Sequence, residues 1–435
     1  MSLVVPFSEI FNGVGLLSQG SHWQRIELGK IVKIQNGFPL KSTAFSSEQG
    51  FPVIRIRDLK FNSIQTYYKE EFPKEFIVNN GDLLIGMDGD FICYEWNGGK
   101  AVLNQRVCKL IPDESSILKK FLFYGINGYL EAIQNATSSV TVKHLSSIDI
   151  GKILFPLPPL NEQYRIVSKL DALFEKIELN KYRLDRIPHI LKRFRHSVLS
   201  DAVNGKLVDT KTEWREVELR TLVGKNGIFD GPFGSNLKTA DYVDEGVRVI
   251  RLENIEHLSF IEDKKTFITV EKYQSLLRHE VGEGDIIFSS FISDEIRACI
   301  LPKLETKAIA KADCFCIRPD ETLIYKKFLL YCLVSMNSYN QLVLNIHGAT
   351  RPRINTTQLK SLLIYIPSAE EQKEIVNRVE QLLSFADRVE ARYIKTKVQL
   401  DELPQSILGK AFRGDLVPQD PNDEPANILL EKIKA

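Results

Sequence analysis

The sequence predicts an α+β protein in which two mostly-β units with small helices each lead into a long α-helix. Three observations predict it. The 435-residue chain is written twice, each half opens on short apolar runs bounded by turn residues, and each half closes on a sustained heptad pattern.

The duplication is plainest late in each half. Ser197-Val-Leu-Ser-Asp-Ala-Val-Asn-Gly-Lys-Leu-Val208 matches Ser406-Ile-Leu-Gly-Lys-Ala-Phe-Arg-Gly-Asp-Leu-Val417 at an offset of 209 residues. The same offset carries Glu162-Gln163 onto Glu371-Gln372 and Pro158 onto Pro367. Earlier the match loosens and the offset shrinks. Trp23-Gln-Arg-Ile-Glu-Leu pairs with Trp214-Arg-Glu-Val-Glu-Leu, Gly50-Phe-Pro-Val-Ile-Arg-Ile with Gly246-Val-Arg-Val-Ile-Arg-Leu, and Gly81-Asp-Leu-Leu-Ile with Gly284-Asp-Ile-Ile-Phe. Each half is thus a variable unit followed by a closely repeated segment.

Within the variable units, Val53–Ile56, Asp82–Ile85 and Arg106–Ile111 have strand length and are bounded by Gly, Pro or Asp. Their counterparts are Val249–Leu252, Asp285–Phe288 and Cys314–Ile317. A helical stretch follows in each, Ile117–Asn135 and Ile324–Asn345. A strand-like run then closes the unit, Ile153–Leu157 and Leu362–Ile366.

The repeated segments place apolar residues at alternating spacings of four and three. The first seam runs Ile166, Leu170, Leu173, Ile177, Leu184, Ile187, Leu191, Phe194 and Val198, with Asn180 at the one polar position. The second runs Ile375, Val379, Leu382, Ala386, Val389, Tyr393, Thr396, Leu400, Leu403 and Ile407 in the same phase. Four to five heptads in one register predict a coiled coil; an amphipathic helix lying on a globular core is the plainer alternative. A buried Asn180 would fix the register, and a solvated end would explain it equally well. Pro188 and Pro404 fall late in each pattern and predict a break followed by a short helix ending at Gly205 and Gly414.

Composition bounds the function. A net charge of +1 argues against a chain that grips DNA alone, because phosphate contacts dominate such affinity. No apolar run is long enough for a membrane span, and the first twenty residues lack the basic start of a secretory signal. Six cysteines without a CxxC pair read as buried free thiols in a reducing cytoplasm. No Walker A, HExxH or metal-spaced Cys/His pattern occurs, and Leu157-Pro-Pro-Leu160 lacks the Asn and aromatic residue of an amino-methylase motif. The Gly-rich run Asp230–Ser235 reads as a turn, and Asp82, Asp88 and Asp90 as a solvated loop.

Pro156-Leu-Pro-Pro-Leu-Asn-Glu-Gln163 leading into a heptad helix, the Ala-x-x-Gly-x-Leu-Val endings at Ala202 and Ala411, the tail Gln419–Leu430 and the duplicated layout together resemble the type I restriction–modification specificity (S) subunit family. The resemblance spans nearly the whole chain. It implies two target-recognition domains, residues 1–155 and 206–365, each reading one half of a split duplex DNA site. It implies two helical spacers, 156–205 and 366–435, that pair as an antiparallel coiled coil in a pseudo-two-fold internal repeat and bind two methylase subunits. It implies a non-catalytic cytoplasmic chain whose further partners are restriction subunits. S-adenosylmethionine, ATP and Mg2+ would then act on the partner subunits, with no cofactor here. Pro367-Ser-Ala departs from the fuller proline motif, and Val203-Asn204 stands where the second ending has Phe412-Arg413, which bears on the symmetry of partner contacts. A duplicated coiled-coil scaffold without base readout is the alternative.

Base readout needs Arg, Lys, Asn or Gln on an element that enters a groove. In the first unit the candidates are Lys41, Asn104, Arg106, Lys143 and His144; in the second, Asn236, Lys238, Arg351 and Arg353. Arg55 and Arg251 occupy equivalent strand positions, which suits a structural or phosphate role. The basic run Lys181, Arg183, Arg186, Lys192, Arg193 and Arg195 reads as a solvated helix face, with DNA backbone contact as the alternative. The helix-pair candidates are Ile166, Leu170, Leu173, Ile177, Asn180 and Leu184 against Ile375, Val379, Leu382, Ala386, Val389 and Tyr393.

Overall fold

The computed structural model describes residues 23–136, 144–209, 212–234, 236–344, 352–425, 428, 429, 431 and 433. They fall into two compact units: residues up to 184 together with those from 395 onward, and residues 185–394.

In the first unit, Arg25–Glu27 pairs antiparallel with Leu154–Pro156. A four-stranded antiparallel sheet holds Val32–Asn36, Val107–Pro112, Leu83–Gly86 and Cys93–Glu95 in that spatial order. A five-stranded mixed sheet holds Phe45–Ser46, Tyr67–Tyr68, Phe51–Ile54, Ala101–Leu103 and Ile77–Val78, with one parallel pair between Phe51–Ile54 and Ala101–Leu103. Strand character follows burial: every residue of Leu83–Gly86 is buried, so an apolar run without alternation is stable there.

The second unit repeats this order. Arg215–Glu218 pairs with Leu363–Ile366. Val223–Phe229, Cys314–Pro319, Ile286–Ser289 and Ala298–Ile300 form the four-stranded sheet. Tyr242–Val243, Phe267–Ile268, Val247–Ile250, Ala308–Ala310 and Glu280–Val281 form the five-stranded one, again with a single parallel pair, between Val247–Ile250 and Ala308–Ala310.

The helical stretch of the first unit is Lys119–Ala136. Its counterpart, expected as one helix, is two: Lys326–Val334 and Met336–Val343. The break is Ser335, whose hydroxyl donates to the Cys332 carbonyl at 2.7 Å and accepts from the Ser338 amide at 3.3 Å. A side chain that caps its own backbone competes with helix continuation.

The first repeated segment gives Leu160–Leu184 and Ile187–Val203, with Pro188 in the opening turn of the second helix. The second runs unbroken from Ala369 to Arg413, so the break expected at Pro404 does not occur. An interior proline costs a helix about 3 kcal/mol. Burial of Leu400, Ala411 and Phe412 on either side holds this helix together through it. Both repeats end as the glycines predict: Gly205 and Gly414 have φ of 70° and 84°, and the next amides, Lys206 and Asp415, bond back to Asp201 and Lys410.

The heptad residues divide by position. Ile166 and Leu170 are buried in the first unit's core, and Ile375 and Val379 in the second's, so the opening turns behave as amphipathic helices on globular cores. Further along, Leu173, Leu184, Leu382, Val389 and Tyr393 are half-buried, while Ile177 and Ala386 are buried. Asn180 is exposed, which excludes a buried register-fixing role for it and matches the solvated alternative. Within the first unit Lys181 pairs with Asp401 at 3.5 Å. Within the second, Arg195 bridges Asp387 and Glu390 at 2.8 and 2.7 Å, and the Phe194 and Phe385 rings lie 6.5 Å apart. Two members of the basic run thus spend their charge on the other repeated helix.

All six cysteines are buried and free. Burial pushes the Cys108 and Cys299 thiols up to about 12. No helix among the described residues is long and apolar enough to cross a membrane.

Candidate nucleic-acid interface

The Glu-Gln pair of each half is a structural bolt. The Gln163 side chain accepts from the Leu118 amide at 2.8 Å and donates to the Ser116 and Pro158 carbonyls at 3.0 and 2.9 Å. Gln372 repeats this with the Tyr325 amide at 2.8 Å and the Pro367 carbonyl at 3.1 Å. Both glutamines are buried, and each ties a long helix to its unit. Glu162 accepts from the Trp23 indole at 3.1 Å, and Glu371 from Thr212.

Two of the candidates occupy corresponding positions in the two units. Lys41 and Lys238 each precede an equivalent 3-10 turn, Ser42–Ala44 and Thr239–Asp241. Lys41 pairs with Glu70 at 3.2 Å, and the Lys238 amide donates to Asp241 at 2.6 Å. Arg55 and Arg251 cap helical turns through Asp58 and Asn254 and lie over Phe45 and Tyr242. Asn104 is corrected outright. It is buried, its side chain accepts from the Gln105 amide at 2.9 Å, and a Cβ on Gly37 would sit 2.0 Å from its carbonyl oxygen. Gly231 approaches Lys311 in the same way, with a Cβ 2.1 Å from the Lys311 carbonyl carbon, so the Gly-rich run is a close-packing point as well as a turn. Asn236 is exposed. Lys143 and Arg351 lie outside the described residues.

Arg106 and His144, distant in sequence, meet at Asp88. Arg106 lies 3.4 Å from one carboxylate oxygen and His144 Nδ1 2.6 Å from the other. In the second unit Arg353 stacks over Phe291 at 4.4 Å and lies 3.6 Å from Asp313. The three aspartates therefore do not form one site: Asp82 pairs with Lys109 at 2.6 Å and Asp90 accepts from Gln134 at 3.1 Å. Among the described residues no three His, Cys, Asp or Glu side chains could hold a metal ion. Asp88 and Asp313 carried no reading role in the sequence; only the backbone pairing Asp88–His144 and Phe291–Arg353 brings their neighbours to them.

The type I restriction modification DNA specificity domain matches residues 20–189 and again 237–399. The chain belongs to this specificity family. The EcoBI type I restriction enzyme specificity subunit of Escherichia coli is 36% identical over 97% of this chain and 94% of its own length. The EcoKI specificity subunit of the same species is 28% identical over 88% of each. The HsdS subunit of Thermoanaerobacter tengcongensis, 18% identical, shares the fold with a TM-score of 0.62 over 92% of this chain and 98% of its own. The matched segments hold both Glu162-Gln163 and Glu371-Gln372, so the bolt of each helix belongs to the family's repeated part.

Proposed function

We propose that this specificity-family chain reads a bipartite, asymmetric duplex DNA site, one half with each unit, as the non-catalytic subunit of a type I restriction–modification complex. One observation supports it above the rest. The two units share strand order throughout, yet the exposed or half-exposed residues at the matching bridges, Asp88–His144 and Phe291–Arg353, differ. The same scaffold bearing different edges is what two different half-sites require. The near-neutral charge fits a reader whose partners supply much of the phosphate contact. Those partners are two methylase subunits, with restriction subunits beyond them, and S-adenosylmethionine, ATP and Mg2+ act there. The repeated helices pair as an antiparallel coiled coil, a reading supported by Lys181–Asp401 within the first unit and Arg195–Asp387 within the second.

Footprinting with the methylase partner present tests it. The expected result is two protected blocks separated by an unread gap, with little binding by this chain alone at moderate salt. Replacing residues 206–365 by another member's domain changes one block only. A seven-residue insertion into both helices, before Pro188 and Pro404, keeps the heptad phase and lengthens the spacer by about 10 Å, roughly three base pairs. Such a variant abandons the original gap. A single continuous block, or a lengthened protein that keeps the original gap at full affinity, favours a scaffold without base readout.

A further inference from the structure

The same backbone frame presents three exposed or half-exposed side chains in each unit. In the first, the Met87 amide bonds to the Arg106 carbonyl at 3.0 Å and the Leu145 amide to the Met87 carbonyl at 2.8 Å. In the second, the Ser290 amide bonds to the Asp313 carbonyl at 2.9 Å and the Ile354 amide to the Ser290 carbonyl at 3.0 Å. The isolated bridges Asp88–His144 and Phe291–Arg353 complete the correspondence. Position by position, Asp88 matches Phe291, Arg106 matches Asp313, and His144 matches Arg353. The flanking Met87, Val107 and Leu145 are buried, as are Ser290, Cys314 and Ile354, so the frame is fixed by its anchors.

Against that constancy the side chains are reshuffled. Each cluster holds one guanidinium beside one carboxylate, but the arginine has moved from the second position to the third. Arg106 is 56% exposed against Asp88, and Arg353 is 51% exposed against Asp313. Ion pairs this exposed contribute at most about 1 kcal/mol, so the fold does not require them. What they do is hold a planar fork in place at a surface edge. A guanidinium already ordered loses less freedom when it donates two bonds to a guanine edge.

We propose that these three positions are the base-reading head of each unit, with Arg106 and Arg353 each contacting a guanine and Asp88 and Asp313 positioning them. The inference rests on the two-half-site reading above and adds which residues discriminate. Because the arginine projects from a different segment of the frame in each head, the two heads present their donors in different places, and the half-sites differ.

The test uses the complex of this chain with its methylase subunits and a duplex library randomised in both half-sites. Arg106→Ala lowers discrimination at one base pair of one half-site by about 10- to 100-fold and leaves the other unchanged, and Arg353→Ala does the reverse. Arg106→Lys and Arg353→Lys keep the charge and lose the fork, so they lose the base preference while the salt slope stays as in the wild type. Asp88→Asn and Asp313→Asn weaken the same preference less. A uniform loss across all sequences with a shallower salt slope makes the arginines phosphate contacts and overturns the proposal, as does an unchanged preference in the alanine variants. If the unaltered complex shows no sequence preference, the underlying reading itself falls.

Discussion

In the first unit Gly125 faces Phe412; in the second the corresponding positions hold Cys332 and Val203. All sit in the cores where a repeated helix meets its unit. A Cβ on Gly125 would lie 2.3 Å from Phe412 Cε1 and 2.7 Å from Phe155 Cζ, and Phe412 packs 4.9 Å from the Phe121 ring centroid. The second unit fills the same place with a middle-sized pair. Core differences between the units therefore compensate within a unit and keep the volume, as close packing demands. The exposed heads keep one guanidinium beside one carboxylate but move both, a change that packing volume does not constrain. Change that preserves packing concerns stability, and change that packing does not constrain is where function is free to diverge.

The largest effect should come from breaking one compensated pair. Phe412→Val alone opens a cavity among Phe121 and Phe155 and costs about 3 kcal/mol. Gly125→Cys alone overpacks the same place and costs about 2 kcal/mol. The double variant imports the second unit's solution, so its urea-unfolding free energy should recover much of the sum. Additive losses would show that the two positions are not coupled.

Next in size are the glutamine bolts. Gln163→Ala strands the Leu118 amide and the Ser116 and Pro158 carbonyls, while Gln372→Ala strands only the Tyr325 amide and Pro367 carbonyl among the bonds described. Buried groups left without partners cost about 1–3 kcal/mol in net stability. The first variant should therefore lose more than the second, with the loss local to its own unit by hydrogen exchange. Equal losses would mean that water replaces the third bond.

Much of this architecture was legible because it follows periodicity. The strands at Leu83–Gly86 and Ile286–Ser289, and the helix ends at Gly205 and Gly414, follow from apolar runs and cap residues in the chain itself. The continuous helix through Pro404 was not legible, because the packing that stabilises it comes from residues distant in sequence, such as Phe121 against Phe412. Ser335 gave a local signal that a longer apolar pattern masked. For the interface, residue type pointed to Arg106, His144 and Arg353 but equally to Asn104, which is packed inside. What separates them is which way each residue faces outside the strands, and for His144 and Arg353 that depends on pairings across 56 to 62 residues, Asp88 with His144 and Phe291 with Arg353.

The smallest expected effect lies at a position where the units differ by one atom type. Asp230 precedes Gly231 as Asn36 precedes Gly37. Burial pushes the Asp230 carboxyl up to about 6, although the Gly231 and Asp313 amides both donate to it and partly offset the shift. Arg353 also favours its charge and Asp313 opposes it. A carboxyl raised in the folded state binds its proton more tightly there than in the unfolded chain, where it titrates near 4. Its contribution to stability is therefore complete below about pH 4 and is lost as pH rises to about 6. His279, whose Nδ1 lies 2.7 Å from the Asp230 carbonyl oxygen, is lowered by burial and works in the opposite direction below its ordinary value. The wild-type profile thus mixes two groups, and Asp230→Asn separates them. It keeps the acceptor oxygen for both amides and removes the titration. Hydrogen exchange of second-unit amides across pH 4–7 should show the variant gaining protection over wild type as pH rises to 6, with the gap level above it. The first unit, with Asn36 already in place, should show no difference between the two proteins. A constant gap from pH 4 upward would locate the effect in the lost charge of a solvated carboxylate, and the burial of Asp230 would then count for nothing.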